Sequence, residues 1–224
     1  MGHLTGVEHD FLEEMRDPDG AQAQSNHVAS TDPMAATQRG RPSSATHDEW
    51  RATVEETLDA ITELEATAAQ PRLEEMAALH GLRMPLASLL VARTFELCMH
   101  EEDIRRASGR ELHAPDTATL RLMTDLGMAL VPAAMAHSNR SHDRRWARIV
   151  LTGPGGGTWQ TALDPVATTV APEGPVDVRI VLDAVEFCRL VANRVDPAAL
   201  QAVVTGDSAL ASDLFASVAT LALD

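Results

Sequence analysis

The sequence predicts an α+β chain: an all-helical front joined near residues 138–145 to an α+β back. Three observations carry this. Apolar residues recur at threes and fours in successive segments from residue 3 to about 136, as one buried helix face requires. The runs Trp146–Thr152 and Gly157–Leu163 read as strands around Gly153-Pro-Gly-Gly-Gly157, a hairpin by its turn chemistry. Beyond that turn, short strand-like runs alternate with two amphipathic helical stretches.

In chain order, the first helix covers about 3–15, with Leu4, Val7, Phe11 and Leu12 apolar and Glu8, Asp10, Glu13 and Glu14 polar; His9 reads as surface. Residues 17–44, rich in Asp, Pro, Gly, Gln, Asn and Ser, have no apolar period and read as loop. A second helix begins near Thr46, places Trp50, Val54, Leu58, Ile61 and Leu64 at core-facing spacing, and ends before Pro71. Residues 72–82 form a connection with at most a turn of helix. A central helix then runs from Met84 or Pro85 to Ser108, with Gly109 as its stop. Pro115 opens another over 116–136, whose last turns Pro132 bends or marks. The back half is expected to carry strands at Val166–Val170, Val176–Leu182 and Ala202–Thr205, with helices at Asp183–Asn193, capped by Asp183, and Ser208–Leu221. The Gly153–Gly157 turn is expected to be solvent-exposed. A phosphate loop is the poorer reading, because no Lys-Ser or Lys-Thr follows the glycines and no helix opens there.

The formal net charge of −15 over 224 residues argues against nucleic acid, since phosphate contacts need concentrated positive charge. The 18 positive residues are all Arg, a compositional bias with no functional reading of its own. No apolar run has transmembrane length and no charged-then-apolar leader is present, so a soluble cytoplasmic protein without a membrane partner is expected. Cys98 and Cys188 are too few for a disulfide framework and read as buried thiols.

The chemistry concentrates in Arg93-Thr-Phe-Glu-Leu-Cys-Met-His-Glu-Glu-Asp103. Glu96 and His100 are four residues apart in a helical pattern, so their side chains leave one face. Leu89, Ala92, Arg93, Met99, Asp103 and Ala107 share that face, apolar at one end and polar in the middle, as a buried site requires. Arg93 and Asp103 are placed to orient the carboxylate and imidazole. Two ligands do not complete a catalytic zinc site, which takes three protein groups and leaves a fourth position open.

His3-Leu-Thr-Gly, Glu96-Leu-Cys-Met-His100-Glu-Glu-Asp-Ile-Arg, Leu-Thr-Gly-Pro-Gly-Gly-Gly-Thr-Trp159, Arg189-Leu-Val-Ala-Asn-Arg194-Val-Asp-Pro and Val-Thr-Gly-Asp207 together span nearly the whole chain. In order and spacing they resemble the mycothiol-dependent maleylpyruvate isomerase family of actinobacteria. The resemblance implies a DinB-like metal-binding helical bundle over 1–140 and a small sterol-carrier-like α+β domain over 141–224. It further implies zinc or another divalent metal held by His3, Glu96 and His100, and mycothiol as the low-molecular-weight thiol. Family members carry a first bundle helix ahead of the His-Leu-x-Gly motif, so the bundle is expected to be incomplete at its start.

In the implied reaction the metal holds a thiol as thiolate, which adds to an activated double bond; the resulting single bond rotates, and elimination releases the trans product. Asp103 orients, and Arg194 binds a substrate carboxylate. The partners implied are the thiol and an electrophilic substrate, maleylpyruvate or a related acceptor, with the protein a monomer or homodimer. The competing reading is a non-enzymatic small-molecule or lipid-binding module, or an inactive truncated relative. Metal content separates the first two.

Overall fold

The computed structural model describes residues 2–16, 33, 35–66, 74, 76–79, 82–165 and 174–222. The fold is mixed α+β. By contacts the chain divides into two compact units, residues 1–90 with 223–224 and residues 91–222. Among the described residues no helix is long and apolar enough to cross a membrane.

In the first unit, α1 (Gly2–Arg16) packs along α2 (Ser43–Ala66). Leu4, Val7, Phe11, Leu12 and Met15 are buried, the stripe that the apolar spacing anticipates. Glu8, assigned to the polar face, is buried as well. His9 is not a bare surface residue: its Nε2 lies 3.3 Å from Thr53 Oγ1, and Arg16 reaches Glu56 at 3.1 Å. The buried side of α2 differs from the expected one. Leu58 is 57% exposed, while Thr46, Thr53 and Thr57 are buried. Thr53 and Thr57 meet the cost of burying a hydroxyl by donating to the carbonyls of Glu49 and Thr53, each at 3.0 Å. Sequence spacing favoured the larger apolar residues, and the actual contact line runs through the small β-branched ones.

A two-stranded antiparallel hairpin, β1 (Met76–Leu79) and β2 (Leu82–Pro85), occupies the stretch expected to hold only a connection; Met76 pairs with Pro85 and Leu79 with Leu82. It leads directly into α3 (Leu86–Ala107). Gly109 ends that helix at φ 66°, with its N–H and that of Arg110 donating back to Arg106 and Arg105.

In the second unit Asp116 caps α4 (Thr117–His137), accepting from the N–H groups of Ala118 and Thr119, and Pro132 lies inside the helix near its end. Strands β3 (Trp146–Thr152), β4 (Gly157–Ala162), β5 (Val178–Asp183) and β6 (Val203–Gly206) form one sheet in the order β4-β3-β5-β6. The central pair β3 and β5 is parallel and the outer pairs are antiparallel. Register aligns Ala147 with Val178, Ile149 with Ile180 and Leu151 with Leu182, so the buried residues of both strands share one face. Against it sit residues of α4, α5 (Ala184–Val191, capped by Asp183) and α6 (Ser208–Val218), together with Phe95 and Met99 of α3. Within the second unit the change from helix to strand falls between His137 and Trp146, as expected, but the hairpin at Met76–Pro85 means that the front is not all-helical. The strand expected at Val166–Val170 and most of the loop expected at 17–44 lie outside the described residues.

The Gly153–Gly157 turn is a hairpin, but its middle is not exposed. Gly155 is buried against α4, and its carbonyl accepts from Thr124 Oγ1 at 2.9 Å. Arg121 donates to the Gly156 carbonyl at 3.2 Å and lies 4.7 Å over the Trp159 ring, whose N–H bonds Asp125 at 2.9 Å. A Cβ on Gly155 would stand 2.4 Å from Leu120 Cβ, so the glycine-rich sequence answers to helix docking as well as to turn geometry.

Candidate metal centre

Phe95 and Met99, each one residue ahead of a candidate ligand, are buried in the core of the second unit. That burial sets the rotation of α3 about its axis and thereby the direction in which Glu96, His100 and Asp103 project. Glu96 and His100 keep a quarter and a fifth of their side-chain surface open to solvent.

Arg93 is 6% exposed and donates from Nη1 to Glu96 Oε2 at 2.8 Å. The bond is charge-assisted and holds one carboxylate oxygen, which directs the other, Oε1, toward His100 Nε2 at 3.8 Å. The second imidazole nitrogen, Nδ1, lies 3.8 Å from Asp103 Oδ2. The ring is thus divided, with Nε2 toward Glu96 and Nδ1 toward Asp103. Two atoms each about 2.0–2.1 Å from a tetrahedral zinc lie about 3.3–3.4 Å apart. A gap of 3.8 Å between Oε1 and Nε2 closes to that with a movement of a few tenths of an ångström.

Glu96 and His100, side by side on α3, are two of the three ligands that the motif resemblance implies; the third, His3, belongs to α1 of the first unit. Two imidazoles and one carboxylate are a donor set that suits zinc and leaves a tetrahedral position for a further ligand. By donor chemistry the implied set of His3, Glu96 and His100 fits a divalent metal.

Asp103 is bound by Arg194, whose Nε and Nη2 reach Oδ2 at 3.1 and 3.0 Å while Nη1 donates to the Ala192 carbonyl at 2.8 Å. At the preceding residue of α3, Glu102 meets Arg189 of α5 at 3.2 Å, and Arg189 also reaches Glu186 of its own helix at 2.7 Å. Cys98 projects from the other side of α3 and lines a cavity of about 200 Å³ with Met99, Leu112, Leu120, Val185 and Cys188. Burial, then the charges of Glu101 and Asp116, raises the Cys98 thiol above its ordinary value. Burial, then Cys98 and Asp183, pushes Cys188 up to about 12.

No protein-family model, curated protein or solved structure matches the chain.

The pairing of Glu96 with His100 and the supporting positions of Arg93 and Asp103 were readable from helical spacing. The salt bridges that tie Glu102 and Asp103 to the region of α5 were not, because their partners lie 87 and 91 residues away.

Proposed function

We propose that this protein is a divalent-metal enzyme, most simply a zinc enzyme, that activates a low-molecular-weight thiol of the mycothiol type. It would use that thiol to isomerise maleylpyruvate or to transfer it to a related electrophile, acting in the cytoplasm as a monomer or homodimer. The observation that carries the reading is the pair Glu96 and His100, side by side on α3 with Arg93 and Asp103 against them, to which the motif resemblance adds His3; two imidazoles and one carboxylate suit an open zinc site. The DinB-like and sterol-carrier-like identities of the two parts rest on the motif resemblance and belong to the same proposal.

When bound, a zinc ion with an open position lowers the proton affinity of a coordinated thiol, so that it is held as the nucleophilic thiolate. The chain's own residues have separable tasks. His3, Glu96 and His100 supply the ligand atoms. Arg93 holds Glu96 through Oε2, and Asp103 Oδ2 faces His100 Nδ1 across 3.8 Å, the side on which a carboxylate would turn Nε2 toward the metal.

The test is metal content set beside thiol-dependent turnover. About one zinc per chain and loss of maleylpyruvate isomerisation on chelation, restored by zinc, are the expected results. Absence of metal binding by the purified protein would overturn the reading. The cavity beside Cys98, apolar at Met99, Leu120 and Val185 and rimmed by Glu102, Arg106 and Arg189, favours a second reading, a binding module for a small molecule. That reading requires ligand binding insensitive to chelators.

A further inference from the structure

The end of α5 has a structure of its own that bears on the candidate ligand His100. Ala192 closes the helix, Asn193 adopts φ 54°, the N–H of Asn193 donates to Leu190 at 3.0 Å and that of Arg194 to Arg189 at 2.7 Å. This double bond pattern around a left-handed residue is a Schellman turn. Asn is one of the few residues other than Gly that tolerate that conformation. The turn fixes the backbone of Arg194, and the Nη1 bond to the Ala192 carbonyl fixes the near side of its guanidinium. Nε and Nη2 are left pointing together at Asp103 Oδ2, the oxygen that lies 3.8 Å from His100 Nδ1.

We propose that Arg194 is a positioning residue: it clamps the Asp103 carboxylate in place so that Asp103 holds the His100 ring with Nε2 directed at the metal. Asp103 is two-fifths exposed, so without this clamp its side chain has other rotamers open in solvent. The same fork has a second consequence for Arg194, whose role by resemblance is to grip a substrate carboxylate. Both of those donors are already directed at one oxygen of a protein carboxylate. The inference rests on the metal reading of Proposed function and adds to it the route by which the end of α5 governs one ligand.

The experiment is an equilibrium titration of the metal-free protein with cobalt(II), read by its visible d–d absorption, for the wild type, Asp103→Asn, Arg194→Ala, Arg194→Lys and the Asp103→Asn/Arg194→Ala double variant. Far-UV circular dichroism verifies folding, and Arg194→Lys and Asp103→Asn carry the test if Arg194→Ala does not fold. Loss of a partner that orients a ligand weakens metal binding about 10–100-fold. Arg194→Ala is expected to fall in that range with altered cobalt bands, Arg194→Lys to recover part of the loss, and the double variant to be no weaker than Asp103→Asn alone. The proposal is overturned if Arg194→Ala binds cobalt as the wild type does and alters only the KM for substrate, or if the two losses add. A wild type that binds no cobalt instead removes the metal reading, and this inference with it.

Discussion

Replacing Gly155 by Ala tests the docking of the β3–β4 turn on α4, the least expected feature of the second unit. Gly155 has φ 72°, and a Cβ there would meet Leu120 Cβ at 2.4 Å, the Leu120 carbonyl carbon at 2.8 Å and the Arg121 nitrogen at 2.9 Å. Two of these three atoms are backbone, so the helix cannot yield by a rotamer change. The left-handed conformation costs a residue with a Cβ about 1–2 kcal/mol. Forcing an extra carbon into a close-packed contact adds about 1–3 kcal/mol. Displacing the turn would also lengthen the bond from Thr124 Oγ1 to the Gly155 carbonyl, now 2.9 Å, worth about 0.5–1.5 kcal/mol net. A total loss of about 3–6 kcal/mol follows, readable as a lower urea midpoint with circular dichroism as the probe. Gly109→Ala is the matched control. Gly109 has φ 66° but nothing within 4 Å of its would-be Cβ, so it incurs the conformational cost alone. If Gly155→Ala costs no more than Gly109→Ala, the turn is not held against α4 in the way described.

Gly127→Ala should destabilise the second unit by about 1–3 kcal/mol in the same assay, because the new methyl would stand 2.8 Å from the buried Phe187 ring, and pairing it with Phe187→Leu should recover part of the loss. Burial raises the Asp177 carboxyl, but bonds from Arg145 and the Trp146 N–H outweigh it and leave the group below the usual carboxylate range. Its contribution to stability is therefore present above the ordinary carboxylate pKa of about 4 and lost as pH falls from there through the lower folded value. A wild type that weakens over that window, beside an Asp177→Asn variant with a flatter profile, is the expected outcome; parallel profiles would count against it. Ile149→Ala, in the fully buried strand pair with Ile180, should cost about 2–5 kcal/mol, and a loss below 1 kcal/mol would contradict the sheet register.

Features governed by local periodicity or capping were legible in the sequence. Glu96 and His100 share a helix face because four residues nearly complete a turn, and the Asp183 cap, the hairpin and the strand of β5 follow from similarly short-range rules. What escaped depends on contacts distant in the chain. Leu58 satisfies the period of α2, yet the buried line runs through Thr53 and Thr57, whose hydroxyls find carbonyls one turn back. The hairpin of β1 and β2 is short and its residues Met76-Ala-Ala-Leu79 are good helix formers, so propensity pointed away from strand. Gly155 was read as an ordinary turn residue because nothing nearby in sequence announces Leu120 above it. The ion pair of Asp103 with Arg194 crosses 91 residues; spacing placed each residue in its own element and left the pair to the fold.

The central claim is that His3, Glu96 and His100 hold one divalent metal ion. Isothermal titration of the metal-free protein with zinc, in the wild type and in Glu96→Ala and His100→Ala, tests it most directly. The account predicts one site per chain in the wild type and loss of that site in both variants, each remaining folded by circular dichroism. A wild type that takes up no zinc, or a His100→Ala protein that binds one equivalent as tightly as the wild type, would contradict it.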